Sequence, residues 1–328
     1  MLKRHTLVIG GGISGLACAK RLAEMHVSVT VLDKAKGPGG RMASKRGPDE
    51  ARFDHGPQYF TARRLAFSIA LDTWLRRGMV QPYHATIADL GRGGFKLLPA
   101  AERYVGVPGM TAVCKHLAEN LDYRANHRVT TCRFNKGAWT VTLDTGDELQ
   151  AQRLVISAPP RQVGELLGPD DPLARDAAAA TMHPQWALML GLAAPLDTPF
   201  DAAVIRSPSV SWAARGRTPG AFAETWVIHA NYEFSRENLE RSAEQVVTPM
   251  LESFTRALGR PTLRPAFALA HRWRYSQPQH PLQLPEDSAY LFDPARHLGL
   301  CGDWCLEGRV EAAWTSGHHL GERMALTE

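Results

Sequence analysis

The stretch Thr6-Leu7-Val8-Ile9-Gly10-Gly11-Gly12-Ile13-Ser14-Gly15 leaves few folds open to this chain. An apolar run feeds glycines at Gly10, Gly12 and Gly15; a helical run follows over 16–22, and a second apolar run over 27–32 ends on Asp33. Strand, glycine turn, helix and strand in that order form a βαβ unit of the dinucleotide-binding kind. Each glycine has its own use. Gly10 permits the tight turn, Gly12 lets the backbone approach a pyrophosphate with no Cβ between them, and Gly15 lets helix and strand pack closely. The N–H groups of Ile13 and Ser14 then point at the ligand from the positive end of the helix dipole. Asp33, with Lys34 beside it, is placed to accept hydrogen bonds from a ribose. A glycine-rich turn in an ordinary α/β unit could show the same glycines, and the acid at the end of the second strand is what separates the two.

Bulk composition narrows the rest. A chain of 328 residues, 44% hydrophobic, holds one large or two moderate domains with real cores. The net charge of +5 is dispersed without a long basic run, which permits an anionic ligand and points away from nucleic acid. Cys18, Cys114, Cys132, Cys301 and Cys305 show neither metal-ligand spacing with histidine nor a disulfide framework. The expectation is a cytoplasmic protein without a metal. Lys3-Arg4 before an apolar run imitates a secretion signal, yet three consecutive glycines interrupt it, and no run approaches the length of a membrane span.

After Asp33 comes Gly37-Pro38-Gly39-Gly40-Arg41, a flexible loop that delivers an arginine able to make a bidentate contact with a phosphate. Asp54-His55-Gly56-Pro57-Gln58-Tyr59-Phe60 follows. The pair of motifs resembles the flavin-dependent superfamily of amine oxidases, phytoene desaturases and protoporphyrinogen oxidases. The resemblance implies that Gly40 and Arg41 lie along the pyrophosphate of FAD, and that Gly56 and Pro57 pass close to the isoalloxazine. It further implies that the backbone of Val129 meets the adenine and that Asp303, in Gly302-Asp303-Trp304-Cys305, binds the ribitol. Arg309 and Val310 then open a helix whose N-terminus points at the flavin pyrimidine. Reduced flavin carries negative charge there, and a helix N-terminus stabilises it without reorganisation.

The fold class expected is α/β: a Rossmann-like FAD-binding domain from 1–62, 107–160 and 295–328, and a mixed-sheet α+β substrate domain from 63–106 and 161–294. This is a p-hydroxybenzoate hydroxylase-like arrangement. Helices are expected over 65–78, with Leu65, Ile69, Leu71, Trp74 and Leu75 inward, and over 238–258, interrupted at Pro249. Strands are expected at 127–129, 139–143, 154–157, 186–192, 204–205, 226–230 and 270–275, with a hairpin turning at Gly91-Arg92-Gly93-Gly94.

His271-Arg272-Trp273-Arg274-Tyr275, taken with the motifs at 54–60 and 302–305, is similar to the renalase-like oxidoreductases within that superfamily. What this implies is an oxidase of misformed dihydronicotinamides: 2- and 6-dihydro-NAD(P) pass a hydride to flavin N5, and O2 reoxidises the flavin to give NAD(P)+ and hydrogen peroxide. Many amine oxidases of the superfamily place a flavin-linked lysine on a substrate-domain strand, whereas this chain has no lysine after Lys136. FAD is expected to be noncovalent, with Cys301 and Cys305 as buried thiols. Hydride transfer needs no acid, base or nucleophile, so none is expected among the site residues. The residues expected to hold a planar ring are Gln58, Tyr59, Trp186, Tyr275 and Trp304, with His271 tuning the site and Lys96 facing an anionic group of the substrate. The partners implied are a dihydronicotinamide dinucleotide and O2, acting on a monomer or weak dimer. Two other functions fit the same motifs, oxidation of an amine or desaturation of an isoprenoid; a flavin-bearing sensor that turns nothing over is a third.

Overall fold

The computed structural model describes residues 5–91, 94–260 and 263–327. The opening unit forms as read. Strands His5–Ile9 and Ser28–Leu32 run parallel, Val8 opposite Val31, with helix Ile13–Glu24 between them. They sit in a six-stranded sheet ordered Leu291–Asp293, Leu298–Leu300, Arg153–Ile156, His5–Ile9, Ser28–Leu32 and Asp122–Arg124, parallel except for its first, edge strand. Strand alternation divides two cores. Val8 packs with helix Ile13–Glu24 and the C-terminal helix Val310–Ala325, while Leu7 and Ile9 pack beneath the meander Val129–Asn135, Ala138–Leu143 and Glu148–Ala151.

Several expectations need correction here. The strand expected at 127–129 begins only at Val129, because the N–H of His127 is taken by the carbonyl of Asp33. Helix Leu65–Arg76 buries Phe67, Leu71 and Trp74, whereas Leu65 and Ile69 are 78% and 62% exposed. Apolar residues lie on both sides of that helix, and the face with the aromatic rings won. Its Phe67 stacks edge-on against Trp314 at 5.4 Å, so the helix joins the nucleotide-side core although it falls within 63–106. Helices Pro160–Leu167 and Pro172–Ala177 and strand Leu291–Asp293 likewise pack on the nucleotide side, not with the rest of 161–294.

The second sheet has seven strands, ordered Phe267–His280, Thr181–Leu192, Glu224–Ala230, Val210–Arg215, Ala202–Ile205, Ile87–Gly91 and Gly94–Leu97. Neighbours are antiparallel except Ala202–Ile205 with Ile87–Gly91, which makes the sheet mixed. The last two strands form the expected hairpin, and its turn residues Arg92 and Gly93 lie outside the described residues, as do Lys3 and Arg4. Helix Ala243–Ala257 covers one face of this sheet through Val246, Met250 and Phe254. It starts at a Ser242–Gln245 capping box, later than expected, and continues through Pro249 without a break. The missing N–H of Pro249 removes one backbone bond, and the buried side chains on either side hold the helix together.

Candidate active site

At the nucleotide end the three glycines divide their tasks in space. Gly10 has φ +107°, and a Cβ on it would lie 2.4 Å from the carbonyl oxygen of Ser157. On Gly15 a Cβ would lie 2.1 Å from the Gly10 carbonyl oxygen. A Cβ on Gly12 would meet nothing within 4 Å. Gly12 is also the N-cap of helix Ile13–Glu24, and no side chain caps that end, so the N–H groups above it face a cradle that only a Cβ would fill. Ile13 and Ser14 are both buried there, and the Ser14 carbonyl leaves no room for a side chain on Gly317. Gly11 is equally constrained: its N–H donates to Asp33 Oδ2 at 2.7 Å, and a Cβ would strike that same oxygen. Asp33 also accepts from the Ala35 N–H at 2.8 Å and is buried, while Lys34 beside it is exposed. Two backbone donors hold this carboxylate in one orientation, with lone pairs to spare for ribose hydroxyls.

The second and third motifs close on one another. Gly40, at φ +52°, packs on Gly12, and a Cβ on Gly56 would lie 1.9 Å from the Arg41 carbonyl oxygen. Arg41 itself grips Asp303 with two bonds of 2.7 and 2.6 Å and donates a third, at 2.8 Å, to the carbonyl of Ser276 on strand Phe267–His280. One guanidinium thus ties together the glycine loop, the substrate sheet and the C-terminal motif. Helix Val310–Ala325 has no side-chain cap at its N-cap Arg309, whose guanidinium pairs instead with Glu307 at 3.3 Å. Its first N–H groups, from Val310 onward, are therefore available to a ligand. Val129 opens the meander two residues after His127, whose backbone is bonded to Asp33.

On the substrate side the alternation of the strands selects one face. His271, Ala187, His229 and Trp212 are successive partners across four neighbouring strands, so their side chains share a face. Gln58 lies over that row. The indole of Trp212 donates to Gln58 Oε1 at 2.8 Å, and an indole can only donate, which fixes the amide; Gln58 Nε2 then donates to the Gly56 carbonyl at 2.7 Å and lies 3.1 Å from His229 Nε2. His55 stands against His271 and Trp273, ring centroids 4.6 and 4.8 Å apart, and its carbonyl accepts from Trp273 Nε1 at 3.1 Å. Tyr59 stacks on Tyr83 and meets Trp212 edge-on. Tyr275, half-buried, lies two residues past Trp273, where the pairing with strand Thr181–Leu192 becomes irregular.

All three imidazoles are held below the ordinary histidine pKa. Burial, then the neighbouring His271 and His229, hold His55 down to about 3; burial holds His229 down to about 4 and lowers His271 as well. A histidine whose folded pKa is depressed contributes nothing to pH dependence above its unfolded value, and below that value the unfolded chain takes up a proton that the fold resists. The free energy of unfolding is expected to fall as pH drops from about 6.5 towards 4, by up to about 1.4 kcal/mol per pH unit from His55. Urea unfolding of His55→Gln across that range checks this, and an unflattened profile counts against it.

Two expected substrate residues lie elsewhere, and a third lies at the far end of the sheet. Trp186 alternates with Ala187, so its ring faces helix Ala243–Ala257 and its indole donates to the Asn238 carbonyl at 3.1 Å. Trp304 is buried beneath the site, donating to the Ala158 carbonyl at 3.0 Å. Lys96 is exposed on the edge strand opposite the one that carries His271. The site also takes in His55, His229, Trp212 and Trp273, to which the sequence motifs assign no substrate role. The parity of His271 would have found Trp273; Trp212 sits on Val210–Arg215, a strand that was not read. The five cysteines are buried free thiols, with burial pushing Cys301 up to about 11 and holding Cys305 well above the ordinary thiol range, so neither is a thiolate nucleophile.

A glycine cradle beside a buried acid, a second motif folded onto it and an uncapped helix end beyond are the features of a two-sheet FAD-dependent oxidoreductase. Residues 8–68 match the model of an NAD(P)-binding Rossmann-like domain, and residues 82–320 match that of the flavin containing amine oxidoreductases. The chain belongs to the flavin containing amine oxidoreductase family. It is 24% identical to renalase from Mus musculus over 297 residues, 83% of this chain and 85% of that protein. Hydroxyneurosporene desaturase from Rubrivivax gelatinosus is 44% identical over 63 residues only, 19% of this chain and 12% of that protein. In fold it is similar to cyclohexylamine oxidase from Brevibacterium oxydans IH-35A, with a TM-score of 0.78 at 14% identity, covering 98% of this chain and 99% of that one. No helix among the described residues is long and apolar enough to cross a membrane.

Proposed function

We propose that this chain oxidises isomeric dihydronicotinamide dinucleotides, the 2- and 6-dihydro forms of NAD(P), with O2 as the final acceptor. In sum, dihydronicotinamide, O2 and one proton give NAD(P)+ and hydrogen peroxide. Bound noncovalently, FAD supplies the hydride-accepting and O2-reducing chemistry. The observation that carries the reading is Ala187, set between His229 and His271 on strand Thr181–Leu192, in a chain that has no lysine after Lys136. Ala187, Trp212 and the two imidazoles, whose pKa values burial lowers, offer no lysine to a reacting carbon. They orient and enclose a planar ring, and hydride transfer asks for little more. Gln58, fixed by Trp212, and the backbone of Gly56 and Pro57 set the ring's position. The match to renalase along most of both chains supports the same substrate class.

Anaerobic mixing tests the reading. The flavin is expected to bleach within seconds on addition of 6-dihydro-NAD and to stay oxidised with putrescine or cyclohexylamine. Bleaching by the amines alone would overturn the proposal, and bleaching by neither class would leave a binding role.

A further inference from the structure

The row that begins at His271 does not end at Trp212. Val204, Asp89 and Lys96 are its next partners across the sheet. Packing agrees with the register: Ile87 and Ala202 pack with Trp212 on this face, whereas Ala88, Ala203 and Ile205 pack on the helix-covered side. Lys96 therefore shares the site's face after all, three strand spacings or about 14 Å from Trp212. Above Trp212, the rings of Tyr59 and Tyr83 stack at 6.2 Å. The guanidinium of Arg103 lies over Tyr59, 5.3 Å from its centroid.

Arg103 is held but uncommitted. Its carbonyl accepts from the Tyr83 N–H at 2.8 Å, beside the paired strands Val80–Pro82 and Tyr104–Gly106. It is half-buried, no carboxylate among the described residues lies within ion-pair distance of it, and its guanidinium makes one long bond, 3.4 Å, to the Ala101 carbonyl. Acids on this side have other partners. Asp54 is taken by Arg217 at 2.9 Å, Asp89 by Arg206 at 3.0 Å, and Asp201 by the Thr86 N–H at 2.9 Å. A guanidinium stacked on a ring keeps its N–H edge free, and that edge suits two oxygens of a phosphate. Tyr83 and Gln58 line one small cavity of about 20 Å³, so the aromatic stack adjoins the ring-holding end of the site.

We propose that Arg103, with Tyr59 and Tyr83 beneath it and Lys96 farther along the same face, receives the diphosphate of a dinucleotide substrate whose nicotinamide lies at Gln58. This rests on the dihydronicotinamide reading above and assigns the substrate's anionic half.

ADP-ribose, which carries the diphosphate without a nicotinamide, is the probe. With FAD saturating the glycine cradle, calorimetry is expected to show binding of ADP-ribose to the wild-type holoenzyme. Arg103→Ala should weaken it at least about tenfold, with partial recovery in Arg103→Lys, and added salt should lower the affinity. In turnover, Arg103→Ala should cost 6-dihydro-NAD at least about tenfold more in kcat/KM than it costs the phosphate-free 6-dihydronicotinamide riboside. Failure of ADP-ribose to bind, or equal binding by Arg103→Ala, overturns the assignment. If ADP-ribose binds through Arg103 while no dihydronicotinamide bleaches the flavin, the reaction falls and the diphosphate site stands. If both dihydronicotinamides bleach it and Arg103→Ala affects them equally, the reaction stands and the site falls.

Discussion

Gly12→Val is expected to yield a folded protein that no longer holds FAD. The backbone at Gly12 has φ −79° and ψ 171°, a conformation open to any residue, and its Cβ would meet no atom within 4 Å. The apoprotein should therefore melt within a few degrees of the wild type. The added methyl groups occupy the space through which a pyrophosphate reaches the uncapped N–H groups of the helix. Loss of two charge-assisted hydrogen bonds corresponds to a weakening of FAD binding on the order of 100-fold or more. Gly10→Val and Gly15→Val should behave oppositely, destabilising the apoprotein by several kcal/mol, because their Cβ atoms would overlap backbone oxygens at 2.4 and 2.1 Å. Thermal melts of the apoproteins and calorimetric titration with FAD separate the two kinds of glycine. A Gly12→Val protein that purifies with a full complement of flavin would show that the cradle is not where the pyrophosphate lies.

The contrast between those glycines marks how far the sequence could be read. Gly10, Gly12, Gly15 and Asp33 lie on adjacent elements, so their roles follow from local spacing. Gly11 escaped because its constraint comes from a side chain across the sheet, the Asp33 carboxylate. The substrate face was harder for the same reason. Residues 186–192 are apolar throughout, and nothing in such a run says that Ala187 rather than Trp186 faces the site; the parity is set by the helix that buries the other side. Helix Leu65–Arg76 posed the equivalent problem at helical period, with apolar residues on both faces and only Phe67, Leu71 and Trp74 buried. Trp304 looked like a pocket residue because it follows Asp303, yet its indole is spent on the Ala158 carbonyl. Short-range motifs were legible; which side a buried strand turns outward was not.

Arg41 and Asp303 carry the longest-range lesson, because each belongs to a recognisable motif and neither motif announces the other. Removing the arginine is expected to do more damage than removing the aspartate. The Asp303 side chain is only 6% exposed and that of Arg41 31%. Arg41→Ala strands a buried carboxylate, at a cost on the order of 3 kcal/mol in the apoprotein. Asp303→Ala leaves a guanidinium that still reaches the Ser276 carbonyl and solvent, and should cost roughly half as much. The double variant should be less destabilised than the sum of the two, since the second change removes a charge already stranded by the first. Urea unfolding of the four apoproteins measures that coupling. The resemblance to the superfamily implies a different duty for Arg41, contact with the FAD pyrophosphate, and a residue with that duty alone would weaken FAD while leaving apoprotein stability untouched. Equal stability of Arg41→Ala and wild type would therefore reduce the ion pair to a bystander. A large coupling would instead make the Arg41–Asp303 pair a structural tie between the glycine loop and the C-terminal motif.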